Sequence, residues 1–128
     1  MTKVIVLRGD PRTKKNSARI CVTHSGQRFV RPSAAYEQYE KACLWQLKGK
    51  AWHIDRPVNV RCLYFMRTRR KVDLCNLIEA SCDILVNAGV LEDDHAWIVA
   101  SHDGSRVQYD KSDPRVEITI TEVQHGET

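Results

Sequence analysis

Hydrophobic and polar residues alternate most regularly between Val58 and Met66. Val58, Val60, Cys62, Tyr64 and Met66 fall on one side, and Asn59, Arg61, Leu63 and Phe65 on the other. A period of two is the signature of a β-strand. Leu63 and Phe65 are themselves apolar, so the far end of this strand is expected to be covered on both faces and central in its sheet. Residues 116–123 alternate in the same way, with Val116, Ile118 and Ile120 inward and Glu117, Thr119 and Thr121 outward. Shorter β runs are predicted at residues 4–7, closed by Gly9-Asp10-Pro11, and at residues 97–100. Residues 20–23 and 28–30 flank His24-Ser25-Gly26-Gln27 and predict a hairpin.

The period changes to that of a helix twice. Tyr36, Tyr39, Cys43 and Leu47 recur at helical spacing after Pro32-Ser33, with Ser33 the expected N-cap and Gly49 the expected stop. Residues 73–88 form the second predicted helix, stopped by Gly89. Leu74, Leu77, Ile78, Ser81, Leu85 and Ala88 share one side, with Cys75 and Cys82 at its edge. Asp73, Asn76, Asp83 and Asn87 gather opposite, with Glu79 close by. The predicted order is β-β-β-α-β-α-β-β. It implies an α/β (α+β) fold, a mixed sheet of about five to six strands packed with two helices. No repeat, low-complexity stretch or linker interrupts residues 1–128, which read as a single domain.

Composition excludes some classes. The chain has 128 residues, 42% hydrophobic and 28% charged, ordinary proportions for a soluble domain. No apolar run approaches the roughly 20 residues of a membrane span, so no membrane partner is expected. The first ten residues hold only a four-residue apolar run before Arg8. That is not a signal peptide, and the expected location is cytoplasmic. Five cysteines without a CxxC pair read as buried free thiols rather than a zinc site.

Charge divides the chain. Residues 1–71 carry 17 Lys and Arg against 4 Asp and Glu, while residues 72–128 carry 3 against 12. A basic half suits a polyanion and an acidic half suits a metal; the simpler alternative is that the two halves neutralise each other across the fold. The junction between them is the most informative stretch. Arg67, Arg69, Arg70 and Lys71 lead into Asp73, and Glu92-Asp93-Asp94 follow the second helix. A polar helix face usually means solvent. This one has no Lys or Arg between Val72 and Val99 to relieve its acids. Were the strand after His95 to run beside the Met66 end of the central strand, Asp94 would come near Asp73. Those two, with Asp93 or Glu79, could then hold Mg²⁺ through hard oxygen ligands.

These residues carry a resemblance. The string from Arg70 through Asp73 to Asn76-Leu77, then Asp83-Ile84-Leu85, Ala88-Gly89-Val90 and Asp93-Asp94, resembles the signature of RusA-type Holliday-junction resolvases. Weaker similarity covers nearly the whole chain, through Gly9-x-Pro11, Lys14, Pro32-Ser33-x-x-Tyr36 and Pro114-x-Val116-x-Ile118. The resemblance implies a phage- or prophage-associated endonuclease of recombination and repair, in a bacterial or phage-infected cell. It implies a homodimer that nicks four-way DNA symmetrically with Mg²⁺. By position, Asp73 matches the first catalytic Asp and Asp94 the last, Asp93 and Asp83 match neighbouring acids, and Asn76 matches the motif Asn.

Two positions depart from the pattern. Cys75 stands where a second catalytic Asp is expected, and Glu79 where a lysine is expected. Thiolate is a soft ligand that Mg²⁺ does not favour. Residues 75 and 79 are one helical turn apart, so Glu79 is expected to restore the lost carboxylate. The lysine's role would fall to Arg69, Lys71 or Lys14.

The expected activity is therefore a Mg²⁺-dependent, structure-selective endodeoxyribonuclease resolving branched DNA by paired nicks. Asp73, Asp94 and Glu79 are its expected catalytic residues, Asp93 joins them as a metal ligand, and Mn²⁺ should substitute. Lys14, Lys15, Arg67, Arg69, Arg70 and Lys71 are the expected DNA contacts. Arg19, Arg28 and Arg31 extend the basic track, and His95, Trp52 and Trp97 are candidates for proton transfer and base stacking. Two rivals stand: a junction-binding protein disabled by Cys75 and Glu79, and a metal-dependent phosphohydrolase of small nucleotides.

Overall fold

A computed structural model describes residues 1–14 and 19–124. In chain order the elements are β1 (Thr2–Arg8), β2 (Arg19–Val22), β3 (Arg28–Arg31), α1 (Ala34–Gln46), β4 (Val58–Met66), α2 (Leu74–Asn87), β5 (Val99–Ser101), β6 (Arg106–Tyr109) and β7 (Arg115–Glu122). The mixed α+β architecture and its order match the sequence pattern, with β6 as one further short strand.

The strand order is β1-β7-β4-β5, with β6 also paired to β4. β7 runs antiparallel to both β1 and β4, so β1 and β4 point the same way and finish at the same end of the sheet. β5 and β6 run parallel to β4, beside Val58–Asn59 and Leu63–Met66 respectively. A parallel return needs a crossover, and α2 supplies it. Between the two short strands, Asn59 fills the break in the ladder. Its Oδ1 accepts from Ser101 Oγ at 2.6 Å and from the Asp103 N–H at 2.7 Å. A turn at Asp103-Gly104-Ser105 leads on to β6, with Gly104 at φ +86. A Cβ there would meet the Arg61 side chain at 2.8 Å.

The core lies between one sheet face and the two helices. Ile5 and Leu7 of β1, the alternate residues Val58 to Met66 of β4, and Val116, Ile118 and Ile120 of β7 are buried in one cluster. α1 adds Tyr39 and Cys43, followed by Leu47, and α2 adds Leu77, Ile84 and Leu85. Ser33 caps α1 as expected, its Oγ accepting the Tyr36 N–H at 3.1 Å. Ser81, the one hydroxyl on the inner side of α2, meets the Tyr64 hydroxyl at 2.8 Å, which satisfies two buried polar groups at once.

Three expectations need correcting. β4 is central as expected, but the far end of its second face is only partly covered: Leu63 and Phe65 are half-buried, and the Arg115 guanidinium lies over Phe65, 3.9 Å from the ring centroid. Trp97 and Ile98 belong to a turn, and the strand begins only at Val99. Of the five free cysteines, Cys43, Cys62 and Cys82 are buried, whereas Cys75 is exposed and Cys21 half-buried. The predicted hairpin forms as β2 and β3, paired only with each other.

Candidate active site

The chain leaves β1 and β4 at the same end of the sheet, and one carboxylate fastens the two exits together. Asp10 Oδ1 accepts the Arg67 N–H at 2.9 Å, and its Oδ2 accepts from Arg70 Nη1 at 2.9 Å. Arg70 Nη2 also donates to the Pro11 carbonyl at 2.7 Å, and Arg12 lies 3.3 Å from the same Asp10 oxygen. The Asp10 side chain is only 9% exposed, so its charge is matched where water cannot do it. Sequence reading took Asp10 for part of a strand closure. The available signal was that it is one of just four acids in residues 1–71.

The basic stretch after β4 therefore splits by role. Arg70 holds the clasp. Arg69 lies over the Tyr109 ring, 4.4 Å from its centroid. Arg67 and Lys71 are exposed. Lys71 lines a cleft of about 420 Å³ together with Arg12, Thr13, Ser33, Arg70 and Val72. Lys15 lies outside the described residues, as does the Arg19 side chain. Arg31 is engaged by Glu37 at 2.7 Å.

Directly after this cleft comes Asp73, the N-cap of α2. Asp is a favoured cap because its carboxylate satisfies an orphan N–H, and Oδ1 accepts the Cys75 N–H at 2.9 Å. The side chain is exposed, as are Cys75 and, one turn on, Glu79. Further along the helix, Asp83 takes Lys14 as partner, Nζ to Oδ2 at 2.6 Å. The acidic face of α2 is thus relieved by a cation from the first loop. The same kind of neutralisation joins the two halves of the chain elsewhere, through Arg8 with Asp113 and Arg56 with Glu122.

Asp93 and Asp94 are exposed in the turn before β5, where Asp93 Oδ1 accepts the Asp94 N–H at 2.7 Å. The strand after His95 does not run beside the Met66 end of β4. β5 pairs with Val58 and Asn59, and β6 takes the Met66 end. The condition for bringing Asp94 up to Asp73 through that pairing is not met. Asp94 instead lies within electrostatic reach of Cys82. That thiol is pushed up to about 12, first by burial, then by the negative charges of Cys62, Asp94 and Asp83. Cys82 is nine residues past Asp73, about 13 Å along the helix axis. Among the described residues, no three His, Cys, Asp or Glu side chains gather closely enough to hold a metal ion. His95 Nδ1 accepts the Trp97 N–H at 3.2 Å. Trp97 is exposed, and Trp52 packs under Lys3 at 4.6 Å.

The family model for endodeoxyribonuclease RusA matches residues 9–121, from the clasp loop to the last strand. The chain belongs to the RusA endodeoxyribonuclease family. This is a family of nucleases that resolve Holliday junctions. The match covers Asp10, the basic exit from β4, all of α2 and the Asp93-Asp94 pair. No curated protein matches the chain. No helix is long and apolar enough to cross a membrane among the described residues.

Proposed function

We propose that the chain resolves four-way DNA junctions by paired symmetric nicks, as a Mg²⁺-dependent homodimer. The position of Asp73 carries this reading. An exposed carboxylate follows the cationic exit of β4 and adjoins a cleft lined by Arg12, Arg70 and Lys71. A group suited to a divalent ion and groups suited to phosphate therefore share one end of the sheet.

Asp73 would hold the metal, and Mn²⁺ is expected to substitute; Asp94, Asp93 and Glu79 are the further acids proposed for it, although no three such side chains are gathered among the described residues. All of these donors are hard oxygens, which suits Mg²⁺. Mg²⁺ commonly takes one or two carboxylates and completes its shell with water and substrate phosphate. When bound, the ion would supply an activated water and neutralise charge at the reacting phosphate. Glu79 stands one turn from Cys75 and replaces the carboxylate that Cys75 lacks. With Lys14 engaged by Asp83 and Arg69 stacked on Tyr109, Lys71 is the cation best placed for the missing lysine's role.

Paired nicks need two sites in register, which a dimer provides. The β2–β3 hairpin supports that part of the reading. Its cross-strand neighbours Ile20 and Val30 are each 73% exposed, and a lone two-stranded hairpin is at best marginally stable in water. A second copy is the cover it would take.

A labelled four-way junction incubated with and without Mg²⁺ tests the proposal. Paired nicks that depend on Mg²⁺ and vanish in Glu79→Ala are expected. Retention of the junction without nicks would instead identify a binding protein disabled at positions 75 and 79. Hydrolysis of small nucleotides with no junction binding would identify a phosphohydrolase.

A further inference from the structure

We propose that the cleft between residues 12–13, the start of α1 and residues 70–72 is a pocket for a single phosphate oxyanion. The inference deepens the nuclease reading, and rests on it only in naming a DNA strand as the source of that phosphate.

Three features converge there. Arg12, Arg70 and Lys71 line the cleft, and Asp10, the carboxylate paired with the two arginines, cannot offset all three cations. Ser33 and Ala35 at the first turn of α1 also line it. The opening N–H groups of a helix have no intrahelical acceptor and favour an anion. α1 has 13 residues, long enough for that field to count. The Ser33 hydroxyl accepts the Tyr36 N–H, and among the described residues its own proton has no acceptor.

The third feature is Thr13. It is buried, 4% exposed, and lines the same cleft, yet its Oγ1 has no hydrogen-bond partner among the described residues. A buried hydroxyl without a partner is costly and uncommon. It sits among cations and a helix N-terminus, where a bound acceptor would be negatively charged. A phosphate oxygen meets the hydroxyl and the charge together, which an apolar or cationic ligand cannot do. Val72 completes the lining and directly precedes Asp73. A strand phosphate held here would fix the backbone beside the carboxylate proposed to face the metal, positioning DNA without reading its sequence.

The full-length protein tests this without any cleavage step. Thermal unfolding is followed in increasing inorganic phosphate at constant ionic strength, and junction affinity is measured without Mg²⁺. Wild type should gain stability with phosphate. Thr13→Val, which keeps the shape and removes the hydroxyl, should lose that gain and weaken junction binding about tenfold. Thr13→Ser should restore both. Lys71→Ala, at an exposed position, should lose the phosphate response with its fold intact, which keeps the test decisive if Thr13→Val folds poorly. Loss of the phosphate response with junction affinity unchanged would assign the pocket to free phosphate anions rather than to the DNA strand. A phosphate response in wild type that never binds a junction would sink the nuclease reading and leave the pocket standing. Wild-type responses to phosphate and junction in both Thr13→Val and Lys71→Ala would overturn the proposal.

Discussion

The two ends of α2 treat similar carboxylates in opposite ways. At the first turn, Asp73 caps its own helix, spends one oxygen on the Cys75 N–H, and stays exposed beside the cationic cleft. At the third turn, Asp83 is half-buried and bound to Lys14 across 69 positions of sequence. In the sequence both are acids on a polar helix face. Their partners separate them: one charge is already neutralised, while the other stands where a ligand can reach it. Accounting for partners says more about a candidate site than counting charges does.

That contrast can be broken by experiment. Asp73→Asn should have the largest effect. Asn caps helices as well as Asp, so stability should hardly change, while nicking should fall about 10²- to 10³-fold. Asp83→Asn should leave nicking in place. Equal losses in the two variants would erase the distinction between the helix ends.

Next comes the clasp. Asp10→Ala strands the Arg67 N–H and leaves Arg70 without its carboxylate. Arg70 is 29% exposed, so water softens the loss, which is expected at about 2 kcal/mol in urea unfolding. Tyr64→Phe should cost about 1 kcal/mol by stranding Ser81. The double variant with Ser81→Ala should cost less than the two single changes combined.

Alkaline pH probes the core beneath α2. Burial pushes the thiols of Cys43 and Cys62 up to about 11 and that of Cys82 up to about 12. Unfolded thiols ionise near the ordinary value of 9, so above that pH the unfolded chain releases protons that the folded chain keeps. Stability is therefore full below pH 9 and declines as pH rises toward 11 to 12. Denaturant midpoints at pH 8 and pH 10.5 should show the drop. Smallest of all, Lys14→Met should cost about 0.5 kcal/mol, because its ion pair with Asp83 is partly exposed. A cost of several kcal/mol there would make the Asp83 end of α2 the structural keystone.

The parts of the fold that were legible are those with a face to bury. β4, β7 and both helices have periodic apolar positions that water disfavours, and each lies where its period predicts. β6 was not legible because every residue of Arg106–Tyr109 is exposed. Its pairing with β4 is made by backbone groups, which leave no mark on side-chain pattern. The site divides in the same way. Asp73 stands out by its place between a cation block and a helix. Asp10 and Thr13 do not, because their importance comes from contacts with residues about 60 positions away, or from the want of any contact. The pairing partner of the strand after His95 was misjudged for a related reason: two short strands share one edge of β4, and the break between them is filled by side chains, Asn59, His102 and Ser105, rather than by a ladder.

The order of strands has a consequence for synthesis. β7, made after both β1 and β4, lies between them, so the Asp10 clasp spans ends that stay apart until residues 115–122 are in place. A nascent chain lacking that strand has its cations and its acids but no cleft to aim them. The proposed nuclease would stay harmless to nearby DNA until residues 115–122 have been made.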